Sequence, residues 1–64
     1  MKFSLEILMD NAAFSGAEGP PGTEVADILD KVATLVDGSY FSEEDGQGLH
    51  DCNGNPVGSW RVTS

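Results

Sequence analysis

Sixty-four residues with eleven acidic and three basic side chains, a formal net charge of −8, allow one small domain with a shallow core. They exclude direct binding to DNA or RNA, whose affinity depends on cations that displace condensed counterions. Leu, Ile, Val and Phe supply fifteen of the 64 residues, just above the roughly 20% below which highly charged chains stay disordered, so folding is expected.

The opening residues Lys2-Phe3-Ser4-Leu5-Glu6-Ile7-Leu8-Met9 set Phe3, Leu5, Ile7 and Met9 on alternate positions, which predicts a half-buried strand over about 2–9. Asp10-Asn11-Ala12-Ala13-Phe14 then reads as a turn with Phe14 folded back as a core plug. Residues 15–22, SGAEGPPG, hold three glycines and two prolines and predict a mobile connection. Thr23 stands at an N-cap position, with Glu24 and Asp27 where the helix dipole favours negative charge, and so predicts a helix over about 23–37. Its apolar stripe is Val25, Ile28, Leu29, Val32, Leu35 and Val36, and Gly38 provides a left-handed stop.

Tyr40 and Phe41 lead into an acidic loop at about 42–48, and Asn53-Gly54 between two strand-like runs predicts a hairpin over about 49–63. Pro56 must begin its strand or lie on a free edge. Within the last strand, burial of Trp60 and Val62 favours an inward set of Gly58, Trp60 and Val62. The expected fold is α+β: a single domain over residues 1–64, ordered β-α-β-β, with a three-stranded antiparallel sheet and one helix packed on one face.

The chemistry-bearing residues are sparse. Asp51, Asn53 and Asn55 share the one-three-five spacing of a calcium loop, but the sixth and twelfth positions hold Pro56 and Val62 where glycine and a bidentate glutamate are needed. His50 and Cys52 fall on one face of a strand, but there is no second Cys or further His to complete a zinc site. No serine has the glycine frame of a nucleophile elbow. No catalytic residue, metal ligand or cofactor is therefore assigned, and the chain is not expected to be an enzyme.

What remains is the placement of acid. Glu24, Asp27 and Asp30 follow at three-residue intervals, Asp37 lies ~10 Å beyond Asp30 along the helix, and Glu43, Glu44 and Asp45 continue the series. Lys31 is the one cation on the helix, whereas ordinary surfaces intersperse signs. These seven carboxylates form the candidate partner-binding surface. Its complement is a basic nucleic-acid-binding protein, with Tyr40 and Phe41 either as aromatic anchors or as part of the core.

The single cysteine, Cys52, rules out an internal disulfide and fits a reducing cytoplasm. The N-terminus is too short and too acidic for a signal peptide. No stretch nears the ~20 apolar residues of a membrane span, so no membrane association is expected.

The stretch Asn11-Ala12-Ala13-Phe14, the helix EVADILDKVATLVDG and the ending DCNGNPVGSW resemble short acidic proteins carried by bacteriophages and mobile elements. Among these are anti-CRISPR inhibitors of type I systems. The resemblance extends over most of the chain in size and charge, without a diagnostic motif that would carry functional residues across. It implies a stoichiometric inhibitor without catalysis, whose DNA-mimicking surface meets a subunit of a CRISPR surveillance complex; a monomer in the bacterial cytoplasm is expected. The same charge would also serve an anti-restriction protein, an antitoxin or a transcriptional modulator, and a calcium-binding module with the loop acids as ligands is the remaining alternative.

Overall fold

The computed structural model describes residues 1–17 and 19–64. Its elements in chain order are β1 (Lys2–Ile7), a 3-10 turn (Ala12–Phe14), α1 (Pro21–Val36), β2 (Gly46–His50) and β3 (Pro56–Thr63). The expected α+β class and three antiparallel strands are present in one open sheet with a single helix. The strand order is β1-β3-β2, which makes the C-terminal strand central. β1 and β2 therefore run parallel to one another on either side of β3.

The centre of the sheet is held by residues that pair on both sides. Trp60 lies opposite Leu5 on β1 and Gln47 on β2, and Gly58 lies opposite Ile7 and Leu49. Gly58 has no room for a side chain, because a Cβ there would collide with the Glu6 carbonyl and come within 3.2 Å of the Ile7 Cα. On the helix side, Phe14, Ile28, Val32, Leu49, Val57, Trp60 and Val62 form the buried core. Phe14 is the expected plug, and Trp60 and Val62 are the expected inward residues of β3.

Three aromatic rings close one end of this core. Phe3 stacks on Trp60 at 5.2 Å between centroids with 15° between planes, and Phe41 meets Trp60 edge-on at 6.0 Å and 68°. Trp60 Nε1 is buried without an acceptor among the described residues. An unmet donor costs ~1–3 kcal/mol. Burying ~200 Å² of indole contributes about 5 kcal/mol, so area wins and the tryptophan stays inside.

Several boundaries differ from the sequence reading, each for a local reason. β1 ends at Ile7, not Met9: the Leu8 amide still donates to the Val57 carbonyl at 2.7 Å, but β3 begins at Pro56 and the chain has no further partner. Met9, expected to point inward, is exposed. The helix starts at Pro21, not Thr23, with Pro20 at the cap position and no side-chain cap. Proline suits the first helical turn because its missing N–H would have no helical partner there. The Thr23 amide instead donates to the Pro20 carbonyl at 3.0 Å, so Thr23 is inside the helix. Residues 21 and 22 of the expected mobile connection are thus helical, and Glu18 lies outside the described residues.

At its other end α1 closes as expected, with Asp37 at the C-cap and Gly38 at φ +79°. Within the apolar stripe Ile28 and Val32 are buried and Val25 and Val36 half-buried, but Leu29 and Leu35 on the flanks stay exposed. The expected loop over 42–48 is shorter, because β2 already begins at Gly46. Two glycines in GQGLH give no strand signal of their own. Pairing with β3 creates the strand, and a Cβ at Gly46 would meet the Trp60 carbonyl at 2.6 Å.

Glycine at two positions supports a paired prediction. Gly58→Ala should cost about 1–3 kcal/mol through backbone displacement in the central strand. Gly22→Ala, at a helical site with nothing within 4 Å of the added Cβ, should stabilise by roughly 0.4–1 kcal/mol. Urea unfolding of the two variants beside the parent checks both signs.

Candidate protein-docking surface

The seven candidate carboxylates do not all face solvent in the same way. Asp27 and Asp30 lie exposed on the outer surface of α1, and Asp37 is exposed at its C-terminal cap, where its amide donates to the Ala33 carbonyl at 3.1 Å. Glu24 is half-buried, and its Oε2 accepts a 2.9 Å hydrogen bond from the Cys52 amide. That contact pins the β2–β3 connection to the first turns of the helix. Glu24 is thereby committed to the fold.

Glu43, Glu44 and Asp45 are exposed in the turn that leads into β2. The Asp45 carboxylate folds back to accept from the Ser42 amide at 2.9 Å, and the Asp45 amide donates to the Ser42 carbonyl at 3.2 Å. Backbone bonds from the Glu44 amide to Val62 and from the Val62 amide to Asp45 extend the β2–β3 ladder by one step and seat the turn against β3. Glu44 adopts φ +76°, the left-handed region, and is the only described residue other than glycine to do so. An L-residue there costs ~1–2 kcal/mol relative to its ordinary conformation.

Charge is distributed over two faces. Glu43 and Glu44 rim an open groove with Gly46, Gly48, Arg61 and Thr63. Register puts Gly46 beside Arg61 and Gly48 beside Ser59 on the sheet face that turns away from the helix. The other acids, Asp27, Asp30 and Asp37, belong to the helix layer. The helix runs with its first turns at the Cys52 end and Leu35 beside Gln47, so its C-terminus and the acidic turn share one end of the molecule. Asp37 and the acidic turn therefore share that end, while Asp30 and Asp27 lie roughly 10 and 15 Å back along the helix. Tyr40 and Phe41 divide between the two roles open to them: Phe41 packs on Trp60, and Tyr40 is 99% exposed.

The sequence places Asp51 at the start of an incomplete calcium spacing. Its side chain is 4% exposed, and Oδ1 accepts from the amides of Asn53 and Asn55, each at 2.9 Å. The Asp51 amide also donates to the Asn55 carbonyl at 3.0 Å, and the Gly54 amide to the Asp51 carbonyl at 3.0 Å. In the expected Asn-Gly turn only Gly54 takes a positive φ, +82°. The Asn55 amide above all, with Asn53 and the side chains of Asn55 and Asn11, holds the Asp51 carboxyl below its ordinary value, against the opposing effect of desolvation. Aspartate bonding to amides two residues on is an Asx turn, so D-x-N-G-N carried the signal. Among the described residues no three His, Cys, Asp or Glu side chains come together to hold a metal ion.

The Cys52 thiol is pushed above its ordinary value, first by desolvation, then by Glu24 and by the charge of Asp51. A thiol kept protonated is a weaker nucleophile at neutral pH. Among the described residues no helix is long and apolar enough to cross a membrane. No protein-family model, curated protein or solved structure matches the chain.

Two measurements check this site. Because the folded Asp51 pKa lies below the ordinary 3.8, its carboxylate stabilises the fold fully above about pH 5, and that contribution fades as pH falls through the folded pKa. The stability difference between the parent and Asp51→Asn should be constant above that pH and shrink in acid. For Cys52, alkylation by iodoacetamide at pH 8 should be slower in the folded chain than in urea, and Glu24→Gln should accelerate the folded-state reaction.

Proposed function

We infer that the protein is a stoichiometric inhibitor that acts by occupancy rather than catalysis, and that its acidic surface competes with DNA for a basic nucleic-acid-binding protein. The observation that carries this reading is the exposure of Asp27, Asp30, Asp37, Glu43, Glu44 and Asp45 in a chain of net charge −8. A field of that sign raises the association rate with cationic partners and repels free nucleic acid. Following the resemblance of the sequence, the proposed target is a subunit of a type I CRISPR surveillance complex in the bacterial cytoplasm, at the site that would recognise target DNA.

The conformation of Glu44 gives this reading independent support. A glycine would adopt φ +76° without strain, yet a carboxylate occupies the position and lines the groove beside Glu43. Local strain retained at an exposed position is a feature of recognition sites. Within this surface Glu24 is a fold-positioning residue, and contact with the partner falls to the other six carboxylates, with Tyr40 at the edge.

The test is displacement of target DNA from a purified type I complex by the protein in increasing amounts. Loss of DNA binding at stoichiometric inhibitor is expected, and full DNA binding at saturation would overturn the assignment. Reversing Asp27, Asp30, Glu43 and Glu44 to lysine should reduce competition at least a hundredfold while the thermal melt stays cooperative. Glu44→Gly separates stability from function: it should stabilise the chain by roughly 1 kcal/mol and weaken competition.

A further inference from the structure

Among the described residues β1 is an edge strand, paired with β3 on one side only. The Leu8 amide points into β3, where it meets the Val57 carbonyl. Backbone groups alternate sides along a strand. Lys2, Ser4 and Glu6 therefore direct their N–H and C=O groups into β3, and those of Phe3, Leu5 and Ile7 line the free edge. Side chains alternate too, with Phe3, Leu5 and Ile7 on the helix side and Lys2, Ser4 and Glu6 on the open side.

The helix leaves this edge incompletely covered. Ile28, Lys31 and Leu35 line a groove with β2 residues. Leu29, on the opposite flank of the apolar stripe, is 43% exposed, and Phe3 is 42% exposed despite stacking on Trp60. Apolar surface thus borders a row of unpaired backbone groups, the arrangement that accepts another strand.

The charges on the open side identify the strand that fits. Lys2 and Glu6 lie two residues to either side of Ser4. Antiparallel pairing with β1 of a second copy, about a two-fold axis at Ser4, sets each Lys2 opposite the other copy's Glu6, each Phe3 opposite Leu5, and Ser4 opposite itself. We propose that this chain forms a two-fold symmetric dimer through β1, merging two three-stranded sheets into one of six strands.

The two Phe3–Leu5 pairs then exchange four main-chain hydrogen bonds, and two opposite-charge pairs flank them. Centring the pair on Leu5 instead places Lys2 opposite Leu8 and Glu6 opposite Ser4, which matches no charges. Charges that merely guard an edge work best with one sign, because like charges repel in every register; these have opposite signs and attract in this one. Two bodies of net charge −8 repel at long range, so association should strengthen when salt shortens the screening length.

Sedimentation equilibrium of the full chain in 0.5 M NaCl tests the dimer and its register. With rising concentration the mass should move from 6.7 kDa toward twice that value. Lys2→Glu and Glu6→Lys should each weaken association at least tenfold, and the double exchange should restore it. A Ser4→Cys variant in a Cys52→Ser background should oxidise to a linked dimer, since residues facing at a non-hydrogen-bonded pair sit ~4.5 Å apart between Cα atoms. Circular dichroism melts establish that each variant is folded. A mass of one chain at every concentration, or a double exchange that fails to recover association, overturns the proposal.

Discussion

The fold depends on one carboxylate that faces inward. Asp51 gathers the amides of Asn53 and Asn55 and so shapes the connection between β2 and β3. That connection determines how β2 meets the central strand, including the register shift between Leu49 and His50. Next to it, the Cys52 amide reaches Glu24 on the helix. In a chain with so little core, two acidic side chains serve as backbone acceptors: Asp51 shapes the hairpin connection and Glu24 ties it to the helix.

This internal use of acid sits beside its external use. A chain of this charge repels itself in the compact state, and the cost grows as carboxylates are brought close. The structure spreads them over the outer helix face, the helix C-terminus and the turn at the start of β2. Asp37 and the acidic turn lie at one end of the molecule, and Asp30 and Asp27 extend the negative surface back along the helix. The β1 edge reaches the same end of the sheet, since Phe3 pairs with Val62 and its ring centroid lies 5.8 Å from that of Phe41.

The helix illustrates how far local pattern reaches. Ile28 and Val32 are buried as their spacing implies, and Gly38 ends the helix in the left-handed conformation. Thr23 was a reasonable cap by residue type, yet Pro20 and Pro21 start the helix earlier because proline fixes φ near the helical value and lacks the N–H that would have no partner there. Leu29 and Leu35 belong to the same stripe and remain exposed, since a sheet of three strands is too narrow to cover both flanks.

By itself the sequence determined the α+β class, one helix, the hairpin near Asn53-Gly54, the inward side of β3 and the excess of acid. Each follows from periodicity, turn chemistry or composition, which act within a few residues. Tertiary structure alone decided that β3 lies in the middle, that Gly46 and Gly48 form a strand, that Glu24 serves the fold, and that Glu44 takes a left-handed conformation. Those outcomes rest on contacts between residues far apart in the chain, such as Glu24 with Cys52 and Glu44 with Val62. No local pattern encodes them, because their stabilisation exists only once the strands have met.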